Sequence, residues 1–111
     1  MGKTVETVDV YINSTDSSKT TVKFTVGKKS FSTVEQNEFL KAQILLPLLS
    51  KMLKKHKLSF RDIRAIEVNP GPGSFTGIRV GVAVANTLGW ALGVPVNGRQ
   101  VQKQPVEPLY S

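Results

Sequence analysis

The sequence predicts an α/β fold, a mixed five-stranded sheet in the order β-β-β-α-β-α-β with helices packed on it. Three observations predict it. Residues 7–34 hold three β-rich runs separated by turn residues. Two long segments with apolar residues at helical spacing follow, each leading into a short extended run. The second of these, Thr76–Leu92, carries Arg79 as its only ionisable side chain. A helix apolar nearly all round is buried on more than one side.

Thr7–Asn13 is β-rich and mostly apolar, as a buried central strand would be. Residues 14–18 (STDSS) are a turn by composition. Thr20–Val26 alternates Val22, Phe24 and Val26 with Thr21, Lys23 and Thr25, the pattern of a half-buried strand. Gly27-Lys28-Lys29 turns it back, and Ser30–Val34 reads as a third strand of a meander. Asn37 caps a helix running to about Lys55. Leu45, Leu48, Leu49 and Met52 form one of its stripes, and Phe39, Leu46 and Leu53 another, with Pro47 expected to kink it or mark its true first turn. Ile63–Asn69 is a fourth strand.

Asn69-Pro70-Gly71-Pro72-Gly73 is a fixed, tight loop, because two prolines and two glycines cannot sit inside a regular element. Ser74 or Thr76 offers the cap oxygen of the central helix, and Gly93 its permissive C-cap. Gly77, Gly81, Ala83, Ala85, Gly89 and Ala91 leave so little bulk that other backbones can approach closely. A fifth short strand starts at Val94. Residues 98–111 are polar, contain Pro105 and Pro108, and read as a tail behind a single domain of residues 1–97. Three meandering strands followed by two βα crossovers are the ribonuclease H-like arrangement, which is also one lobe of actin-like ATPase folds.

Composition removes several chemistries. There is no cysteine and one histidine, so disulfides, thiol catalysis and multi-histidine metal sites are excluded. Arg79 and Asn86 interrupt the longest apolar run, so no stretch reaches membrane-spanning length. The N-terminal MGKTVETVDV lacks the apolar core of a signal peptide, and a cytoplasmic location is the default. The net charge of +7 favours anionic partners such as RNA. Much of it is local, in Lys51, Lys54, Lys55, Lys57, Arg61 and Arg64. This stretch reads first as a solvated helix end, since Phe60 is the only aromatic interleaved with it.

Candidate chemistry is sparse. Gly71–Gly77 followed by a helix offers an anion contact through Ser74, Thr76 and Arg79. It is neither a P-loop nor a dinucleotide fingerprint, and a rigid strand-to-helix turn is the better reading. Actin-like and ribonuclease H-like enzymes use an acid at the end of the first strand. Here that strand ends in Asn13, and Asp9 or Asp16 would have to substitute. His56 has no visible acid partner and reads as a helix-end residue.

Gly71–Gly81, GPGSFTGIRVG, is similar to the signature GPGSFTGLRIG of the TsaB (YeaZ) family, bacterial proteins of tRNA threonylcarbamoyladenosine biosynthesis. Leu45-Leu46-Pro47 and Leu58–Val68 resemble that family too. The resemblance implies a non-catalytic partner with an actin-like fold and a degenerate nucleotide site. Such proteins dimerise with themselves and with a TsaD-like transferase through the two helices of the lobe, and a TsaE-like ATPase binds at the dimer. The transferase moves threonylcarbamoyl from its adenylate to a tRNA adenosine beside the anticodon. No catalytic, cofactor-binding or metal-ligating residue is assigned. The dimer contact is expected from Leu45, Leu49 and Met52 with Ile78, Val82, Ala85 and Gly89, and a tRNA contact from the basic stretch Lys51–Arg64.

Three departures stand out. Asn13-Ser14-Thr15 replaces the family's Asp-Thr-Ser, and Lys41-Ala42-Gln43 replaces His-Ser-Glu. The chain stops where a second lobe is expected, and its Pro108-Leu109-Tyr110 resembles the family's extreme C-terminus. The alternative is a metal-dependent ribonuclease H-like nuclease or ATPase using Asp9 or Asp16. A peptidase, an old label for these relatives, finds neither nucleophile nor metal ligands.

Overall fold

A computed structural model gives the structure and describes residues 6–36 and 42–109, with side chains in the first helix from Leu45 onward. Strands β1 (Val8–Asn13), β2 (Lys19–Val26) and β3 (Lys29–Gln36) form the meander. Helix α1 (Ala42–Lys55), β4 (Ile63–Val68) and α2 (Phe75–Leu92) follow. The sheet order is β3-β2-β1-β4, with β4 parallel to β1 and the other pairs antiparallel. The predicted cap Asn37, Phe39 of the second stripe and Tyr110 lie outside the described residues. Of the two expected caps, Ser74 and Thr76, Ser74 is the one used, its Oγ accepting from the Gly77 N–H, and Gly93 ends α2 in the left-handed region.

Alternation sets which face is buried. Val8, Val10 and Ile12 of β1 lie beside Val22 and Phe24 of β2 and Ile66 and Val68 of β4, all buried. Leu45, Leu49, Ile78 and Val82 close the same core from the helices. The opposite face carries Asp9, Tyr11, Lys23 and Glu67. A register shift between Val8 and Asp9 brings Arg64 to that face. Its guanidinium donates to both Asp9 oxygens, from Nε at 3.1 Å and Nη2 at 2.7 Å.

The sheet has four strands, which corrects the expected five. Val96 makes only an isolated bridge to Ile66. The Ile66 N–H donates to the Pro95 carbonyl and the Asn97 N–H to the Ile66 carbonyl. There the run ends, because Asn97 (φ +51) and Gly98 (φ +75) turn the chain back onto Arg99. The Asn97 amide continues the ladder in place of a strand. It accepts from the Val68 N–H (2.8 Å) and donates to the Val68 carbonyl (3.0 Å).

The stretch expected as a tail is docked through residue 109. Val101 and Val106 are buried. The Asn86 side chain donates to the Val106 carbonyl and accepts from its N–H. The Leu109 N–H donates to the Pro70 carbonyl at 2.7 Å. Polar composition concealed this, because two buried valines and one asparagine on α2 suffice to hold the segment.

One buried polar atom is uncompensated among the described residues, the hydroxyl of Thr20 in β2. Leaving a buried hydroxyl unpaired costs about 1 kcal/mol or more. Thr20→Val keeps the shape and removes the hydroxyl. It is expected to raise the melting temperature by about 4 °C or more, read by circular dichroism.

Candidate partner-binding surface

The end of β1 is where the sequence raised nucleotide or metal chemistry, and its polar groups are engaged locally. Asn13 Oδ1 accepts from the Thr15 N–H (3.1 Å) and from Thr15 Oγ1 (2.7 Å). Asp16 Oδ1 accepts from the Ser18 N–H (2.8 Å) and Oγ (2.7 Å). These bonds, the side-chain one foremost, hold the Asp16 carboxyl below the usual carboxylate range. Two successive Asx turns therefore close this loop on itself. Asp9 lies on the far face of the sheet, paired with Arg64. Among the described residues no three His, Asp or Glu side chains gather as a metal site would need.

The glycine turn packs against the same loop. The Ser74 N–H donates to the Thr15 carbonyl at 2.6 Å. A β-carbon on Gly73 (φ +158) would stand 2.7 Å from Thr15 Cβ. Ser14 is fully buried and donates from Oγ to the Gly77 carbonyl at 2.7 Å. A β-carbon on Gly77 would overlap the Ser14 carbonyl oxygen, and one on Gly81 the Ser14 hydroxyl oxygen. The glycines thus let α2 approach this chain's own backbone. Of the three anion candidates, Ser74 spends its hydroxyl as the cap, Thr76 is exposed, and Arg79 lies 5.4 Å over the Phe75 ring.

The seven expected interface residues need correction. Leu45, Leu49, Met52, Ile78, Val82, Ala85 and Gly89 are all buried inside this chain. They are the core seam of α1 and α2 against the sheet, so a partner cannot reach them. The side of α2 that remains open is Phe75, Arg79, Ala83, Thr87, Trp90 and Ala91. Phe75 is 57% exposed and Trp90 62%. Two large rings thus flank Arg79 and the small side chains of Ala83 and Thr87. Asn86, Thr87, Trp90 and Ala91 also border a cavity of about 350 Å³ against Val101 and Pro105. Among the described side chains of α1 the exposed large apolar residue is Leu46.

Apolar periodicity alone could not separate the two sides of α2. The signal that could is the run Phe75, Arg79, Ala83, Thr87, Trp90 at spacings of four, four, four and three, which gathers the helix's charge and its tryptophan on one line. The basic residues Lys51, Lys54, Lys55, Lys57, Arg61 and Arg64 are all exposed. No helix among the described residues is long and apolar enough to cross a membrane.

Comparison with known proteins gives a consistent picture. The family model for TsaD, tRNA N6-adenosine threonylcarbamoyltransferase, matches residues 40–98, more than half of the chain. The TsaB protein of Bacillus subtilis is 38% identical over 52 residues, 47% of this chain and 23% of that protein. The TsaB protein of Buchnera aphidicola from Schizaphis graminum is 35% identical over 54 residues, 49% of this chain and 26% of that one. The fold matches YeaZ from Pseudomonas aeruginosa with a TM-score of 0.75 at 28% identity, over 81% of this chain and 42% of that chain. The matches thus span about a quarter of these curated relatives and less than half of the solved one. The matched sequence contains both helices and the glycine turn between β4 and α2, and the matched fold contains the four-stranded sheet. The chain belongs to the TsaB (YeaZ) family, within the family described as TsaD, tRNA N6-adenosine threonylcarbamoyltransferase.

Proposed function

We propose that this chain is a non-catalytic partner subunit in the formation of threonylcarbamoyladenosine in tRNA. It acts by pairing, as a homodimer or with a TsaD-like transferase, through the open side of α2 together with Leu46 of α1. The observation that carries this reading is the exposed strip from Phe75 to Trp90 on a helix whose other sides are buried. Exposed rings at both ends of a run of Arg79, Ala83 and Thr87 are anchors of the kind that dominate binding energy at protein interfaces. The self-contained loop at Asn13–Ser18 supports a supporting role over a metal-dependent one. The basic stretch Lys51–Arg64 would face tRNA in the assembled complex, and a TsaE-like ATPase would join at the dimer. The cytoplasm is where such a complex would work.

Reconstitution tests this. The chain is mixed with a TsaD-like transferase of the same genome, threonylcarbamoyl-adenylate and tRNA, and the modified nucleoside is measured by mass spectrometry. Product is expected to rise at least about tenfold over transferase alone, a transition-state gain of about 1.4 kcal/mol. Asp16→Ala is expected to leave that yield unchanged. No stimulation by the chain contradicts the proposal. Loss of the stimulation in Asp16→Ala would favour the metal-dependent nuclease or ATPase.

A further inference from the structure

On the side away from β4 the sheet ends in β3, and among the described residues nothing pairs with its outer side. Val26 and Lys29 flank a two-residue turn, Gly27-Lys28, with Gly27 at φ +60. The pair that closes such a turn exchanges hydrogen bonds, and antiparallel alternation then assigns Lys29, Phe31, Thr33 and Glu35 to β2. Ser30, Ser32 and Val34 therefore aim their N–H and C=O groups outward along the free edge. Natural sheets blunt such an edge with proline, a bulge, an inward charge or a very short strand. β3 has no proline, keeps one register with β2 over its full eight residues and carries its charges, Lys29 and Glu35, only near its two ends.

A cleft of about 380 Å³ runs between this strand and α1. Ser32 lines it although its side chain belongs to the other face of the sheet, and no β2 residue lines it. The cleft therefore follows the outer edge. Its floor is the Phe31 ring stacked on the His56 ring, centroids 4.0 Å apart, with Met52 beside them. Lys51 and Lys55, one helical turn apart, form the α1 wall, and neither has an ion-pair partner among the described residues. Lys29 stands two residues before Phe31 on the same face of β3. Among the described residues, Glu35 is the only acid lining the cleft.

We propose that this edge and cleft form a strand-addition site for an extended acidic segment of a partner protein. The incoming backbone pairs with Ser30, Ser32 and Val34, and its acidic side chains meet Lys29, Lys51 and Lys55. A second copy fits worse, because pairing β3 with β3 would bring Lys51 and Lys55 of both chains to one seam with only Glu35 of each as counter-charge among the described residues lining it. The site lies on β3 and α1, away from the α2 strip, so it does not depend on pairing through α2, but it shares Lys51 and Lys55 with the stretch proposed to face tRNA.

Fluorescence anisotropy tests it on the whole chain with a fluorescein-tagged ten-residue peptide alternating glutamate and valine. Saturable binding in the micromolar range is expected. Backbone N-methylation of every second residue, tried in both registers, is expected to weaken it at least about tenfold in one register. The exposed double variant K51E/K55E and the edge variant Val34→Pro are each expected to weaken it similarly, with unchanged circular dichroism. No saturation by about 1 mM peptide overturns the proposal. So does equal binding of both methylated peptides, which would show attraction by charge alone. A surface that binds tRNA through Lys51 and Lys55 and does not exchange it for the peptide is an RNA site, and also overturns it.

Discussion

Gly77→Ala is expected to destabilise the fold by about 2 kcal/mol, lowering the melting temperature by about 10 °C. Helix propensity alone predicts the opposite, because alanine is favoured over glycine in a helix interior by about 1 kcal/mol. The deciding term is contact. The added methyl overlaps the backbone carbonyl of Ser14, which cannot swing away as a side-chain end could. Shifting α2 to relieve it would also stretch the bond from Ser14 Oγ to the Gly77 carbonyl. Gly81 makes a sharper comparison, since its methyl would meet the Ser14 side-chain oxygen instead. Ser14→Ala should therefore partly rescue Gly81→Ala and leave Gly77→Ala unrescued. Thermal melts of the two double-mutant cycles check this. Equal rescue in both cycles would mean that the helix is seated by something other than the Ser14 backbone.

Ala83→Arg is expected to leave the fold intact and to abolish pairing. Ala83 is exposed in the middle of α2, where arginine is a good helix former, so the stability change should stay within about 0.5 kcal/mol. At the centre of an interface the same side chain would be buried without a counter-charge, which costs about 3 kcal/mol or more. The dissociation constant with the TsaD-like partner should rise at least about a hundredfold. Trp90→Ala should weaken pairing by at least about tenfold, as the loss of an exposed anchor does. Wild-type affinity in Ala83→Arg, measured by calorimetry with a matching melting curve, would move the interface off α2.

Much of this fold was legible in the sequence because its patterns are local. Alternation in Thr20–Val26 marked a half-buried strand, Gly93 marked the C-cap of α2, and the N-cap was narrowed to Ser74 or Thr76. The family signature was legible for the same reason, since the Asn69–Gly73 turn admits few residue types. What was not legible depends on contacts distant in sequence. The fifth strand failed because the Asn97 side chain supplies to Val68 the hydrogen bonds that a continued strand would. The docked C-terminal segment depends on Asn86 meeting Val106, twenty residues away. The interface residues were misassigned for a related reason. An apolar helix shows how much of it is buried, but not which stripe its own sheet takes. Here the sheet, α1 and the segment of residues 94–101 take Ile78, Val82, Ala85 and Gly89, leaving Phe75, Ala83, Thr87 and Trp90 open.

The central claim is that the open side of α2 is built to be covered by a partner. Its most direct test is light scattering of the chain alone and mixed with the TsaD-like protein of the same genome. The chain of 12.1 kDa is expected either to pair with itself and exchange into the mixed complex, or to pair only in the mixture. In both cases one species appears at the summed mass of the two proteins, and Ala83→Arg removes it. A chain that remains at its own monomer mass beside an unaltered TsaD-like protein contradicts the account.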